Sequence, residues 1–117
     1  MNLHDLAHQI NARICLDTGS ACQGIETVHA SDTMSDLIAH AANDTLLVTS
    51  LNNNQLVRVA ELMDVPGICL VGMADPGPEL LAMARSTGTA IMISPHDREK
   101  TCRLLEACLG GHSVTRE

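Results

Sequence analysis

The sequence of 117 residues contains no Phe, Tyr or Trp. Its hydrophobic core must therefore be built from Leu, Ile, Val, Met, Ala and Cys, which predicts a small aliphatic core. The same absence removes the aromatic side chains on which bases and sugars usually stack, and those that enclose quaternary ammonium groups. A nucleotide base bound to this chain would have to lie between aliphatic or arginine side chains.

Basic residues are also scarce. Lys and Arg together number 7 against 14 Asp and Glu, the net charge is −7, and Lys100 is the single lysine. No basic stripe runs along the chain, so neither nucleic acid nor an anionic membrane is expected as a partner. A chain with one lysine also has few side chains that could bind phosphate or form a Schiff base.

Long apolar runs are missing as well. No segment approaches the roughly 20 apolar residues of a membrane-spanning helix. The first residues, Met1 to Asp5, lack the basic and apolar regions of a signal peptide. The sequence therefore predicts a cytoplasmic protein.

The five cysteines form no C-x-x-C pair, and an odd number cannot all pair within one chain. In a reducing compartment we expect them to be small apolar core residues, with Cys69 inert in the middle of a strand. Cys22 lies in a polar turn and is the cysteine expected to be most reactive. Their spacing matches no metal site, so neither a metal nor a cofactor is predicted.

Four common catalytic and nucleotide-binding signatures are absent from the sequence. They are the phosphate-binding loop, the dinucleotide-binding glycine motif, the nucleophile elbow and the zinc-protease helix motif. Their absence weighs against a standard enzyme, and we expect a non-catalytic protein.

Predicted strands and helices alternate over the last two thirds of the chain, and we call this alternation the strand–helix rhythm. Three apolar strands, each followed by a helical segment, are predicted at Thr45 to Leu51, Gly67 to Gly72 and Ala90 to Ser94. This rhythm is typical of a parallel sheet. The run Thr45 to Leu51 contains the apolar stretch Leu46-Leu47-Val48 and is the most hydrophobic strand, so it should be central and buried on both faces.

A helix and two short strands precede these units. Leu3 to Ile10 repeats apolar residues at helical spacing, with Asn2 as N-cap. Short strands are predicted at Arg13 to Leu16 and at Ile25 to Ala30. The predicted fold class is α/β, a three-layer α/β/α arrangement with a mostly parallel sheet of four to five strands.

The chain length allows one domain. We predict a single α/β domain over residues 1–110. Gly110 and Gly111 end the last predicted helix, so residues 111–117 are predicted to form a flexible tail.

Polar turns follow the three strands of the rhythm, at residues 50–54, 72–75 and 94–97. Ligands bind beyond the carboxyl ends of parallel strands, so these turns should lie along one edge of the sheet. The N-termini of the following helices also point there, and their amides and partial positive charge suit a small anion. The asparagines at 52–54 either add donors and acceptors or serve as a helix cap and a turn.

Several histidines have two interpretations. His29, which ends a strand beside Ser31, is either a ligand or pH switch or an ordinary strand-edge residue. His96 is either a general base or a surface residue. His4 and His8 lie one helical turn apart and could chelate a metal, but the sequence shows no third ligand.

Two aspartates are also ambiguous. Asp32 and Asp36 share one helix face and could hold Mg²⁺. Alternatively, Ser31 or Asp32 caps the helix, because such residues satisfy the free amides of a first turn. Ser94, followed by proline and an acidic residue, is predicted in the same way to cap the last helix.

Two segments carry motifs that occur together. Ser31 to Asp36 reads Ser-Asp-Thr-Met-Ser-Asp, and Leu46 to Glu61 follows the pattern L-L-V-T-x-L-x-N-x-Q-x-V-R-x-A-E. Both resemble segments of small stand-alone DRTGG-domain proteins, and the resemblance extends over most of the chain. At the two namesake positions of that family, the chain reads Asn52-Asn53 and Val71-Gly72-Met73.

This resemblance implies an α/β fold like the N-terminal domain of HPr kinase/phosphorylase. Such domains accompany phosphotransacetylases and CBS-containing pyrophosphatases, where they look like regulatory or dimerisation modules. A kinase activity would need a phosphate-binding loop, which this chain lacks. The residues that match the family motifs are Ser31, Asp32, Asp36, Thr49, Asn53, Gln55, Arg58 and Gly72.

The leading hypothesis is a non-catalytic regulatory module that forms a homodimer and binds a small anionic or nucleotide-like ligand at the carboxyl edge of the sheet. The predicted ligand-binding residues are Ser31, Asp32, Thr49, Asn52, Asn53, Gln55, Arg58, Gly72 and Ser94. One alternative is an adaptor subunit that docks on a partner enzyme. A weaker alternative is a small Mg-dependent phosphoryl-transfer or hydrolytic enzyme that uses Asp32, Asp36 and Asn53.

Overall fold

The computed structural model of the protein describes residues 1–110 and 114–116. Within these residues the chain forms five α-helices, one short 3-10 helix and six β-strands. In chain order they are α1 (Leu3–Ile10), β1 (Arg13–Leu16), the 3-10 helix (Gly19–Cys22), β2 (Thr27–Ala30), α2 (Met34–His40), β3 (Thr45–Thr49), α3 (Asn54–Leu62), β4 (Ile68–Leu70), α4 (Pro78–Thr87), β5 (Ile91–Ile93), α5 (Arg98–Leu109) and β6 (Val114–Arg116).

The strands form one sheet with the order β1-β5-β4-β3-β2-β6. All neighbouring strands are parallel except β1, which runs antiparallel to β5 at one edge. β3 lies near the middle, and all five of its residues are buried. The prediction of a central, doubly buried strand is therefore confirmed.

Helices cover both faces of the sheet. On one face, α2, α3 and α4 contribute Leu37, Leu56 and Leu80 to a core that also contains Leu47 of β3. On the other face, α1 and α5 pack a second core against alternate residues of the same strands; it includes Leu6 and Leu105 of the helices and Val48 and Met92 of the strands. This arrangement confirms the predicted three-layer α/β/α fold with a mostly parallel sheet.

The sheet has one strand more than the four to five that were predicted. β6 pairs parallel with β2, so that Val28 lies opposite Val114. It belongs to the segment 111–117 that was predicted to be a flexible tail, and residues 111–113 and 117 of that segment lie outside the described residues. The sequence of β6 is too short to show a strand pattern, and its conformation depends on hydrogen bonds to β2.

The starts of α1 and α2 follow the prediction, whereas α5 begins later than expected. Asn2 caps α1 in a reciprocal capping box with Asp5. α2 begins at Met34 with Thr33 as its N-cap, so neither Ser31 nor Asp32 caps it. The cap predicted at Ser94 was wrong because residues 94–97 connect β5 to α5, and the N-cap of α5 is Asp97.

Of the cysteines predicted to be core residues, Cys69 and Cys102 are buried, whereas Cys15 and Cys108 are half-buried. Cys69 is fully buried in β4, where loss of solvation and the nearby Cys102 raise the pKa of its thiol to about 12. Cys22 is exposed. Cys69 is therefore an inert core residue, and Cys22 is accessible to solvent.

No helix within the described ranges is both long enough and apolar enough to span a bilayer. The longest of them, α5, has 12 residues.

Candidate functional site

The carboxyl ends of β4 and β5 lie next to each other at one edge of the sheet. After β4 the chain turns towards α4, whose Leu80 and Ala84 pack on one face of the sheet. After β5 it turns to the opposite face, where Cys102 and Leu105 of α5 are buried. Two adjacent parallel strands thus send the chain to opposite faces, which is the arrangement that opens a crevice in such folds.

A cleft of about 640 Å³ lies at this position. Its size falls within the range of roughly 300–1,000 Å³ that is usual for small-molecule sites. The lining residues come from the end of α1, the start of β1 and the turns after β4 and β5, and they are Asn11, Arg13, Gly72, Met73, Ala74, Ile93, Ser94, Pro95, His96 and Asp97.

The cleft contains one arginine, one carboxylate and one imidazole. Arg13 Nη2 donates a hydrogen bond to the carbonyl oxygen of Ala74 at 2.8 Å, which holds the guanidinium beside the turn after β4. His96 Nε2 lies 3.0 Å from the carbonyl oxygen of Ile10, so Nε2–H is the donor in this contact. Asp97 accepts from the backbone N–H of Lys100 at 2.7 Å and so caps α5.

Gly72 shapes the cleft through its backbone. Its φ angle is +73°, in the left-handed region that glycine adopts at little cost. A Cβ atom at this position would first meet Ser50 Cβ at 3.9 Å, an ordinary contact. The turn after β4 therefore needs glycine for its conformation and not for space.

A second group of polar residues lies at the ends of β2 and β3, and we call it the Asp32 network. Asp32 Oδ1 accepts hydrogen bonds from Thr49 Oγ1 at 3.2 Å and from both the backbone N–H and the hydroxyl of Ser50 at 2.8 Å. Its Oδ2 atom lies 3.4 Å from Arg98 Nη1, in the first turn of α5. Asp32 thus joins the ends of two strands to the helix that begins at the cleft.

A third group, which we call the His29 cluster, connects β2, α2 and β6. His29 is buried, with Nε2 2.6 Å from Asp36 Oδ2 and Nδ1 2.6 Å from Thr115 Oγ1. His40 Nδ1 lies 3.4 Å from Asp36 Oδ1, and its ring stacks on that of His29 with centroids 3.8 Å apart. The hydrogen bond with His29 lowers the pKa of Asp36, and Ser31 also donates to this carboxylate.

The structure separates the predicted site residues into several places. Gly72 and Ser94 line the cleft, whereas Asp32 and Thr49 belong to the Asp32 network. Ser31 instead accepts from the N–H of Thr33 at 3.0 Å and donates to Asp36 in the His29 cluster. Asp32 and Asp36 therefore face different partners, although they lie one turn apart in sequence.

The remaining predicted residues lie on or near α3. Asn52 Nδ2 donates to the carbonyl oxygen of Pro76 at 2.6 Å, and Asn53 caps the helix by accepting from the N–H of Gln55 at 2.8 Å. Gln55 and Arg58 are exposed, and neither lines the cleft. The ligand-binding role of these residues remains a prediction.

The sequence analysis missed several residues that the fold brings to these sites. Arg13 and Asn11 carry no local signal, because they reach the cleft through the antiparallel pairing of β1 with β5. His40 had a signal that could have been used, since it follows Asp36 by one helical turn and lies on the same face. Thr115 had none, because 86 positions separate it from His29.

Comparisons with known proteins support the fold. No protein-family model matches the chain, and no curated protein matches it. A solved structure of the CBS and DRTGG domains of the regulatory region of Clostridium perfringens pyrophosphatase, in complex with the activator diadenosine tetraphosphate, is similar with a TM-score of 0.65 and 14% sequence identity. The match covers 89% of this chain and 45% of that one, so this chain spans less than half of the solved regulatory region. At this identity the likeness establishes the fold alone.

Proposed function

We propose that this chain is a non-catalytic regulatory module that binds a small anionic, nucleotide-like ligand in the cleft between β4 and β5. The observation that carries the proposal is the position of the cleft of about 640 Å³ at the point where adjacent strands turn to opposite faces, beside a guanidinium and the N-terminus of α5. Such a position combines space for a ligand with donors for an anion.

The groups in the cleft suit a phosphate. A guanidinium has five N–H donors, so the single bond from Arg13 to Ala74 leaves others for ligand oxygens. The N-terminus of α5 adds partial positive charge at the same rim. Met73, Ile93 and Pro95 provide apolar surface for a base, in a chain that has no aromatic side chain to stack on one.

The ligand of the similar structure supports the same chemical class. That regulatory region was solved with diadenosine tetraphosphate, an activator that carries two bases joined by phosphates. We infer from the shared fold that a phosphorylated, base-containing molecule is the first class to test here. The pyrophosphatase activity of the neighbour is not part of this proposal.

A dye-based thermal shift is the appropriate first experiment, because the chain has no Trp or Tyr to report binding. A ligand at about a hundred times its Kd should stabilise the fold by roughly 2.7 kcal/mol, which raises the Tm by on the order of 10 °C in a domain of this size. The panel should contain mononucleotides, dinucleoside polyphosphates and inorganic phosphate.

Arg13→Gln is the informative variant for any ligand that binds. Loss of a charge-assisted hydrogen bond should weaken binding by about tenfold or more. Arg85→Gln is the matched control, since Arg85 is an exposed arginine in the last turn of α4 and does not line the cleft. A panel without any shift, or a ligand that both variants bind as tightly as the wild-type chain, would contradict the proposal.

We also propose that the chain associates with another protein surface, either a second copy of itself or a partner enzyme. Large apolar side chains are exposed on the layer formed by α2 and α3: Ile38 is 47% exposed, Leu62 80% and Met63 45%. Exposed apolar groups of this kind favour association when they form a contiguous surface. Homodimer formation is the first version of this proposal to test.

A further inference from the structure

We propose that His29, Asp36 and His40 form a binding site for a divalent transition-metal ion of the zinc class. Each residue offers one ligand atom, and these atoms all lie within 4.8 Å of one another. None of the three lines the cleft between β4 and β5. The site is therefore separate from the proposed ligand site, and the two proposals can fail independently.

The three ligands are held by two elements of the fold. Asp36 and His40 lie one turn apart on α2 and share a face, and His29 comes from the adjacent strand β2. The exposed fraction of the side chains rises from 5% at His29 through 28% at Asp36 to 48% at His40. The site is thus closed on the protein side and open to solvent, which leaves room for water as a further ligand.

The surroundings of His29 match those of a metal ligand. Histidines that bind metals usually donate their second ring N–H to an oxygen, which fixes the tautomer and the ring orientation. Thr115 Oγ1 lies 2.6 Å from His29 Nδ1, and the same hydroxyl can donate to the carbonyl oxygen of Val28 at 3.4 Å. When the hydroxyl donates to Val28 instead, Nδ1–H can donate to Thr115, which frees the lone pair of Nε2 for a metal ion.

Without an ion, Nε2–H donates to Asp36 Oδ2 at 2.6 Å. A metal cation would take the place of that proton, bound by the lone pair of Nε2 and by the carboxylate. Two imidazoles and one carboxylate favour zinc and its neighbours over Mg²⁺ or Ca²⁺, which prefer oxygen ligands throughout.

Binding requires a local rearrangement at His40. The rings of His29 and His40 are nearly parallel, with 12° between their planes, so their in-plane lone pairs do not converge on one point. His40 Nδ1–H donates to the carbonyl oxygen of Asp36 at 2.9 Å, so the half-exposed ring must give up this hydrogen bond or turn Nε2 towards the ion. The His29 and Asp36 atoms must also separate, because ligands about 2.0–2.1 Å from zinc stand about 3.3 Å apart in a tetrahedral site.

The test is a calorimetric titration of the full chain with Zn²⁺. We expect one ion per chain for the wild-type protein and a loss of affinity of about 100-fold for His40→Ala, whose exposed side chain can be removed without unfolding the chain. His8→Ala is the matched control, because His8 is an exposed histidine on a different helix, and it should bind as the wild-type chain does. An absence of binding, or equal affinity in all three proteins, would overturn the proposal.

Cobalt distinguishes this site from adventitious binding to cysteine. Cys22 is exposed, and Cys15 and Cys108 are half-buried, so a thiolate could take up Zn²⁺. The spectrum of the Co²⁺ complex should show d–d bands without a thiolate-to-cobalt charge-transfer band, and Cys22→Ser should leave it unchanged. A charge-transfer band that disappears in Cys22→Ser would assign the ion to cysteine and refute the site.

Discussion

Asp32 is ionised near neutral pH and links the ends of β2 and β3 to the first turn of α5. Partial burial by itself would raise the pKa of this carboxyl group. The hydrogen bonds from the backbone and side chain of Ser50, the charge of Arg98 and the hydroxyl of Thr49 outweigh that effect, so the pKa is lowered from its ordinary value. The folded state therefore binds the ionised form better than the unfolded chain does.

The sign of the resulting pH dependence follows from this shift. A lowered pKa in the folded state adds stability above the unfolded pKa of about 3.9, and that stability is lost as the pH falls through the folded value. We expect Asp32→Asn to reduce the free energy of unfolding near neutral pH by about 1 kcal/mol or less, because 42% of the side chain is exposed and solvent screens its charge. The difference from the wild-type chain should shrink as the pH falls from about 6 to about 3.

Urea unfolding followed by far-ultraviolet circular dichroism at several pH values measures this difference. Arg98→Gln serves as a graded comparison, since it removes one contact of Asp32 and leaves the hydrogen bonds from Ser50 and Thr49. Its effect should have the same sign and be smaller than that of Asp32→Asn. Parallel pH profiles for the wild-type chain and Asp32→Asn would show that the network does not stabilise the ionised carboxylate.

At the scale of elements, β6 is a short strand at the edge of the sheet, so its conformation depends on its contacts with β2. It has three residues and pairs with β2 at the edge of the sheet. The hydroxyl of Thr115 also contacts the buried imidazole of His29. This side-chain contact adds a polar link to the few backbone bonds that hold β6.

Thr115→Val tests how much this link contributes. Valine has nearly the same shape but cannot hydrogen-bond, so it leaves His29 Nδ1 without a partner, at a cost of about 1–3 kcal/mol. We expect β6 to open more easily, with faster amide exchange in the strands β6 and β2 and unchanged exchange in β4. Hydrogen exchange followed by mass spectrometry measures the exchange rate of each of these segments.

Ser86→Ala is the control for that comparison. It removes an exposed hydroxyl that donates to the carbonyl oxygen of Met83 within α4. α4 connects β4 to β5, and neither of these strands pairs with β6. Equal exchange in β6 for both variants would mean that the contact with His29 does not hold the strand.

At the scale of the whole molecule, the two helical layers differ in exposed apolar surface. The layer of α2 and α3 exposes Ile38, Leu62 and Met63. The net charge of −7 opposes contact between copies of the chain at low salt. Self-association through the apolar layer should therefore strengthen as salt screens this repulsion.

Leu62→Gln is expected to weaken the homodimer. Burial of a leucine contributes about 1.5–3 kcal/mol, and a symmetric interface contains the residue twice, so the dimer Kd should rise by at least about tenfold. Sedimentation velocity at micromolar concentration measures the change. Arg103→Gln on the opposite layer is the control, and a wild-type chain that sediments as a monomer at about 0.15 M salt would exclude the homodimer.

The sequence by itself determined the elements of this fold except the 3-10 helix and β6. The signals for these elements are local, because each acts on residues a few positions away. They are the spacing of apolar residues from Leu3 to Ile10, the buried run beginning at Thr45, and the helix-start and helix-stop residues Pro78, Gly88 and Gly110. Repeated strand and helix segments then implied a parallel sheet between helical layers. The position of polar turns along the carboxyl edge followed from the same rule.

Only the tertiary structure decided which polar residues meet. Asp32 and Asp36 look like one motif in the sequence, yet they belong to different networks. The end of β3 and the start of α5 contact Asp32, whereas β6 contacts the His29 cluster to which Asp36 belongs. Arg13 reaches the cleft through strand pairing with β5, and the cleft itself exists because the chain leaves β4 and β5 in opposite directions. These contacts join residues more than 60 positions apart in several cases, and no local pattern encodes such distances, since they depend on how every element packs.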